Sequence, residues 1–150
     1  MSERYFDDFR VGERFRTGEA TFSEPMMVEF AQRYDPQPFH LDKAAAEGTI
    51  YGGLIASGFQ TLSLSGRLFL EAGFFAACSM GSPGMDELRW YLPVRPGDTI
   101  RVEMEVLEVR PSSSRADRGI LRARYEVFNQ QREKVMSYII AHLLARRPGA

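Results

Sequence analysis

Cysteine and histidine are scarce in this chain, which has one cysteine and two histidines among 150 residues. Because Cys78 stands alone, no intrachain disulfide forms, and a reducing cytoplasm is the expected location. His40 and His142 are too far apart for the closely spaced ligands of a zinc site. We therefore expect a site that works without a metal ion.

Long apolar runs and an excess of one charge are also missing. No stretch reaches the roughly 18 uncharged apolar residues of a membrane span, and residues 1–8 lack the apolar run of a signal peptide. The net charge of −1 gives no electrostatic case for binding nucleic acid or an anionic membrane surface. A length of 150 residues predicts one globular domain, residues 1–150, with its own core, and the hydrophobic content of 44% is ordinary for such a domain.

Helical patterns follow a short strand-like start in the first half of the chain. A serine cap and an early proline predict a helix over residues 23–34, and Asp42 predicts a capped short helix over residues 42–47. The broad apolar segment over residues 57–75 predicts a long buried helix. Residues 6–22 predict a turn and one or two short strands.

The second half changes to alternating apolar and polar residues, which is typical of antiparallel strands. The predicted strands cover residues 87–92, 99–109, 120–128 and 134–145. Proline and glycine mark the turns between them. Periodicity alone therefore supports an α+β fold.

Asp35 and His40 lie five positions apart in the segment Asp35-Pro36-Gln37-Pro38-Phe39-His40. This segment is predicted to be a loop, which the two prolines stiffen, so a carboxylate and an imidazole are able to face one pocket with little ordering cost. Such a pair suits proton transfer. The alternative is that the aspartate starts a turn and the histidine satisfies buried backbone groups.

Gly58 stands at the expected start of the long helix, in the segment Ala56-Ser57-Gly58-Phe59. The first amides of a helix have no intrahelical acceptor, and the helix dipole places partial positive charge there, so an oxyanion is favoured. Glycine also lets a substrate approach the backbone closely. The alternative is that the glycines of this region serve only a turn and close helix packing.

These two segments together resemble the MaoC-like family, whose members include (R)-specific enoyl-CoA hydratases. The resemblance implies Asp35 and His40 as catalytic residues, with the Gly58 amide binding the oxyanion. Gln37 stands where the family usually has Asn, and Ser57 stands where His often precedes the glycine. Over nearly the whole chain, the resemblance also implies a hot-dog fold, in which a curved antiparallel sheet wraps a long central helix, and a homodimer.

The implied activity is reversible hydration of a trans-2-enoyl-CoA to a (R)-3-hydroxyacyl-CoA. The acyl-CoA thioester is then the substrate, and no separate cofactor is expected. Ser57, Gln37 and Phe59 are the candidate substrate-binding residues, although a serine at this position more commonly caps a helix. Arginine suits the phosphates of coenzyme A, but no spacing singles out one of them.

Two other functions remain open from the sequence. A hot-dog thioesterase would need a carboxylate on or near the central helix, and Glu71 is the only acidic residue well inside that segment. It lies nearly four turns beyond Gly58. A non-catalytic acyl-CoA-binding protein with the same fold is the second alternative, because residues alone do not establish turnover.

Overall fold

The computed structural model describes residues 3–149, which form a five-stranded antiparallel sheet and four α-helices. Met1, Ser2 and Ala150, which belong to the predicted domain 1–150, lie outside the described residues. The strands are β1 (Arg14–Thr21), β2 (Gly84–Trp90), β3 (Thr99–Pro111), β4 (Arg118–Phe128) and β5 (Lys134–Ala145). Their order across the sheet is β1-β3-β4-β5-β2, which leaves β1 and β2 at the edges.

The helices are α1 (Glu24–Tyr34), α2 (Pro38–Leu41), α3 (Lys43–Glu47) and α4 (Gly58–Glu71), and a short 3-10 helix covers Phe6–Asp8. The long helix α4 packs against the sheet at β1 and β3. This arrangement confirms the expected α+β hot-dog domain. Within residues 3–149, no helix is long and apolar enough to cross a bilayer.

Alternating residues of β3 and β4 form the buried face of the sheet. Strand β3 buries Ile100, Val102, Met104 and Val106, and β4 buries Leu121, Ala123, Tyr125 and Val127. The intervening residues of both strands are half-buried or exposed, as the period-two pattern predicts. Register shifts interrupt all four strand pairings, and such bulges bend strands and increase sheet twist.

The predicted helix caps are confirmed. The Ser23 hydroxyl accepts a hydrogen bond from the Met26 amide, and the Asp42 carboxylate accepts from the amides of Ala44 and Ala45. These contacts satisfy amide groups that the first turn of a helix leaves without partners.

Several predicted boundaries were wrong. The long helix ends at Glu71 rather than at Phe75, because Gly73 adopts a φ of 77° that a helix does not allow. The predicted loop over residues 35–40 contains the one-turn helix α2, which begins at a proline whose φ suits a first helical turn. The edge strand β2 begins before residue 87 and ends at Trp90.

His142 has the structural position that a residue of an alternating strand predicts. Its Nε2 lies 2.5 Å from the Tyr125 hydroxyl, and its ring packs against Phe75 with the ring centroids 4.5 Å apart. Burial lowers the pKa of His142 to about 4. The imidazole is therefore neutral in the folded core at neutral pH.

We expect acid to destabilise the protein through His142. As the pH falls from 6.5, the unfolded state takes up a proton at this histidine, whereas the folded state does so only near pH 4. The free energy of unfolding should therefore fall by roughly 3 kcal/mol across that window from this group. Urea unfolding between pH 7.5 and 4 measures this. In His142→Gln, which keeps a polar partner for Tyr125 but does not titrate, an equally steep loss would refute the assignment.

Candidate active site

Asp35 is the C-cap of α1, the first residue after the helix. Its amide donates to the Ala31 carbonyl at 2.9 Å, and its backbone then turns out of the helix with φ −155° and ψ 66°. The proline at position 36 disfavours a helical conformation for the preceding residue, so α1 stops here. The end of the helix thus places the carboxylate at a defined point.

His40 belongs to α2, and a hydrogen bond at Nδ1 holds its ring in place. Its Nδ1 lies 2.8 Å from the Ile55 carbonyl oxygen, and its side chain is only 5% exposed. A carbonyl only accepts hydrogen bonds, so Nδ1 carries the proton and donates. This assignment from the hydrogen-bond network leaves Nε2 as the nitrogen that exchanges a proton at the site.

The predicted acid and base meet directly. His40 Nε2 lies 3.2 Å from Asp35 Oδ2. Burial acts to raise the pKa of Asp35, but hydrogen bonds from Ser57 and Gln37, together with the charge of His40, outweigh it, so this pKa lies below its ordinary value. Asp35 is therefore ionised at neutral pH and able to accept a proton.

Ser57 and Gln37 both orient the Asp35 carboxylate. The Ser57 hydroxyl donates to Oδ2 at 2.7 Å, and the Gln37 amide donates to Oδ1 at 2.6 Å. The Ser57 oxygen also accepts from the Phe59 amide at 3.2 Å, so it caps α4. One serine therefore links the start of α4 to the carboxylate.

Gly58 is the first residue of α4, beside the Asp35 and His40 pair. Within residues 3–149 its amide donates no hydrogen bond. A free amide at the positive end of a 14-residue helix is suited to bind a partly negative oxygen. The predicted helix start at this position is confirmed, and the role of the Gly58 amide as an oxyanion donor stays a prediction.

A cavity of about 440 Å³ opens in front of these groups. Asp35, His40 and Gly58 all line it, as do the predicted substrate contacts Gln37 and Phe59. Its apolar walls include Phe39, Tyr51, Ile55, Leu92 and Val94. A mostly apolar cavity with a few convergent polar groups is typical of a small-molecule site.

Ser57 differs from the other predicted substrate contacts. Its side chain is fully buried beneath Asp35, and it is not among the residues that line the cavity. The capping interpretation is thus the one that its contacts favour. Its geometry fits a residue that positions Asp35 rather than one that touches substrate.

Trp90 is a cavity residue that the sequence pattern did not suggest. It ends the edge strand β2, and its indole N–H donates to the Gly58 carbonyl at 3.1 Å. No local spacing relates position 90 to position 58, since the contact joins a strand edge to a helix start. Its only signal in the sequence is that it is the single tryptophan.

The residues considered for other functions lie elsewhere. Glu71, the thioesterase candidate, ends α4, is mostly exposed, and pairs with Arg67 at 2.6 Å, outside the cavity lining. The Arg95 guanidinium, near the cavity, donates to the Tyr51 carbonyl at 2.7 Å and so holds the loop that contains Tyr51. In the part of the chain that the structure describes, no group of three or more His, Cys, Asp or Glu residues is placed to hold a metal ion.

Comparison with known proteins agrees with this geometry. Residues 8–126 match the sequence profile described as the MaoC like domain. The chain belongs to the MaoC-like family. A solved MaoC-like dehydratase from Rhodospirillum rubrum is 37% identical and superposes with a TM-score of 0.91, covering 97% of this chain and 99% of that one.

Two hydratases are also similar to this MaoC-like chain. The R-hydratase PhaJ1 from Pseudomonas aeruginosa is 28% identical with a TM-score of 0.70, over 95% of this chain and 86% of that one. The mesaconyl-CoA hydratase of Cereibacter sphaeroides is 39% identical over 98% of this chain, which spans only 43% of that protein. The family and these relatives support a hydratase or dehydratase role, that is, a hydro-lyase.

Proposed function

We propose that this protein reversibly adds water to a trans-2-enoyl-CoA, giving a (R)-3-hydroxyacyl-CoA. The observation that carries the proposal is the 3.2 Å approach of Asp35 Oδ2 and His40 Nε2 at the wall of a cavity that Gly58 also lines. A base, an acid and an oxyanion donor are the groups that this reaction needs.

One water molecule supplies both new substituents. Asp35, ionised because its pKa is lowered, takes a proton from the water as the hydroxide adds to C3 of the enoyl group. His40 enters this step with a proton on each ring nitrogen and gives the one on Nε2 to C2. The C2–C3 double bond becomes a single bond, and the charge that develops in between lies on the thioester oxygen.

The contact between the two residues also restores the site. After addition, Asp35 holds the proton from water and His40 has lost one. Because Oδ2 and Nε2 lie 3.2 Å apart, the proton passes back from the carboxyl group to the imidazole. The Ile55 carbonyl keeps Nδ1 protonated throughout, so the exchange stays on Nε2.

The Gly58 amide stabilises the transient enolate oxygen. The helix dipole and a preorganised donor act on charge that exists mainly in the transition state, which is where such a contact accelerates a reaction. The apolar walls of the cavity suit the acyl chain, and Phe59 and Gln37 line it as proposed substrate contacts. The coenzyme A thioester is the substrate, and the mechanism uses no further cofactor.

A homodimer is part of this proposal. Strand β2 is an edge of the sheet, and Met85, Trp90, Tyr91 and Leu92 expose between 39% and 49% of their surface along and after it. A second copy pairing along this edge would cover them and satisfy the free backbone groups of the strand. Sedimentation velocity tests this, and a monomer at assay concentration would refute it.

We expect Ser57→Ala to shift the acid limb of the pH profile of kcat to higher pH. The Ser57 hydroxyl helps to lower the pKa of Asp35, so its removal raises that pKa, and the base is lost earlier as the pH falls. Ser23→Ala is the matched control, because it removes a helix cap at α1 without touching the site. An acid limb that moves equally in both variants would show only loss of capping.

The activity itself is tested by following loss of the enoyl-thioester absorbance with short, medium, branched and carboxylated substrates, including mesaconyl-CoA. Release of free thiol is measured in parallel, and chiral analysis identifies the product. Hydration without thiol release and with an (R) product supports the proposal. Thiol release would indicate a thioesterase instead, and thioester binding without either reaction would indicate a binding protein.

A further inference from the structure

Trp90 occupies the space that a side chain at position 58 would need. A Cβ atom built on Gly58 would lie 2.6 Å from Trp90 Cε2 and 2.7 Å from Nε1, closer than real Cβ atoms come. The same indole donates its N–H to the Gly58 carbonyl at 3.1 Å. The tryptophan therefore packs on the α-carbon of Gly58 and holds its oxygen as well.

The contact with Trp90 explains why position 58 is a glycine. A glycine at an oxyanion site is readily attributed to close approach of the substrate, yet here the indole fills the missing side chain's place. Gly66, eight residues along the same helix, differs: a Cβ there would meet only Phe69 Cε2, at 3.9 Å. Position 58 thus excludes a side chain because of Trp90, whereas position 66 has room for one.

The position of Trp90 is set by the edge strand β2. It ends β2 just after an irregularity between Asp86 and Arg89, where Glu87 has a φ of 53°. Bulges of this kind redirect the side chains that follow them. Phe59 completes the contact from the helix side, with its ring edge-on to the indole and the ring centroids 6.5 Å apart.

We propose that Trp90 is a positioning residue that holds the Gly58 amide toward the reacting thioester. The inference rests on the proposed function, because the amide matters as an oxyanion donor only in that reaction. Ser57, the residue before Gly58, is held by its hydrogen bond to Asp35. The Gly58 carbonyl is held by the hydrogen bond from the Trp90 indole. The Ser57 carbonyl, which shares a peptide plane with the Gly58 amide, accepts from two amides of the first helical turn at 3.0 and 3.1 Å, so the helix holds that plane. The indole holds the other side of Gly58, its α-carbon and its carbonyl, and without it this flexible residue would let its amide shift relative to the cavity.

The test is a double-mutant cycle on Gly58→Ala and Trp90→Leu, with Gly66→Ala as the matched glycine control. kcat and KM are measured with the enoyl-CoA that the unmodified protein hydrates fastest. The affinity for butanoyl-CoA, which has a thioester oxygen but no double bond, is measured by calorimetry. Circular dichroism and thermal melting confirm that each variant is folded.

We expect Gly58→Ala to lower kcat about 100-fold, since the clash with the indole displaces an oxyanion donor. Trp90→Leu should lower kcat about tenfold with KM changed less than threefold, because the amide is misdirected in the transition state while most of the binding surface remains. The double variant should match Trp90→Leu to within about threefold, as the clash is gone. Gly66→Ala should be unchanged in kcat.

Two results would overturn the inference. A double variant as slow as Gly58→Ala would show that the substrate, and not Trp90, requires the glycine. A Trp90→Leu protein with kcat within twofold of the unmodified one would show that the indole positions nothing. The butanoyl-CoA affinity should change less than threefold in Trp90→Leu, as KM does. If the folded, unmodified protein hydrates no thioester, the proposed function fails and this inference fails with it, whereas hydration with a cycle that departs from the expected pattern overturns the inference alone.

Discussion

Asp35→Asn should lower kcat for enoyl-CoA hydration by roughly 10²- to 10⁴-fold, the range for loss of a general base. Asparagine has nearly the same shape and keeps an oxygen for the Ser57 hydroxyl, which donates at 2.7 Å. It does not accept a proton from water, however. The change therefore removes the proton acceptor and leaves the packing of the site in place.

Asp42→Asn is the matched control for this variant. Asp42 lies in the same stretch of chain and caps α3 through the amides of Ala44 and Ala45, a role that asparagine fills equally well. Its turnover and its melting temperature should stay close to those of the unmodified protein. A loss below tenfold in folded Asp35→Asn would remove Asp35 as the base.

His40→Gln should cause a loss of similar size, roughly 10²- to 10⁴-fold in kcat, because Nε2 is the group that gives the proton to C2. Glutamine keeps an N–H that is able to replace Nδ1 as the partner of the buried Ile55 carbonyl, which limits the structural damage. Circular dichroism, thermal melting and steady-state kinetics on the purified variant measure the two effects separately.

The double variant Asp35→Asn with His40→Gln decides whether the residues act as one unit. Since the two side chains lie 3.2 Å apart and exchange one proton in the proposed cycle, the second change should cost little after the first. We expect the double variant to be within about tenfold of the slower single variant. Losses that multiply across the two positions would show that they act independently.

The segment from Asp35 to His40 shows how much of the candidate site the local sequence predicted. The close spacing of Asp35 and His40, with two prolines between them, predicted that both face one pocket, and both line the cavity. The predicted loop is nevertheless a helical turn, α2, because Pro38 suits a first helical position and the turn carries His40 back toward Asp35. The hydrogen bond from Nδ1 to Ile55 joins positions 15 apart and has no local signature.

The long helix shows the same division. Its start at Gly58 follows from a serine cap and a run of apolar residues, both local properties of the chain. Its end was predicted too late, because Phe74 and Phe75 continue the apolar pattern. Gly73, at a φ of 77°, ends the helical backbone before them, and Phe75 is buried in the core from outside the helix.

By itself, the sequence determined the α+β class, the helix caps, the alternation of the central strands and the candidate trio Asp35, His40 and Gly58. All of these depend on residues close together in the chain, or on motifs of the MaoC-like family. Only the tertiary structure decided that Ser57 supports Asp35 and that Trp90 packs on Gly58. Those contacts join a helix end, a helix start and a sheet edge, and their distances exist only once the sheet has folded against α4.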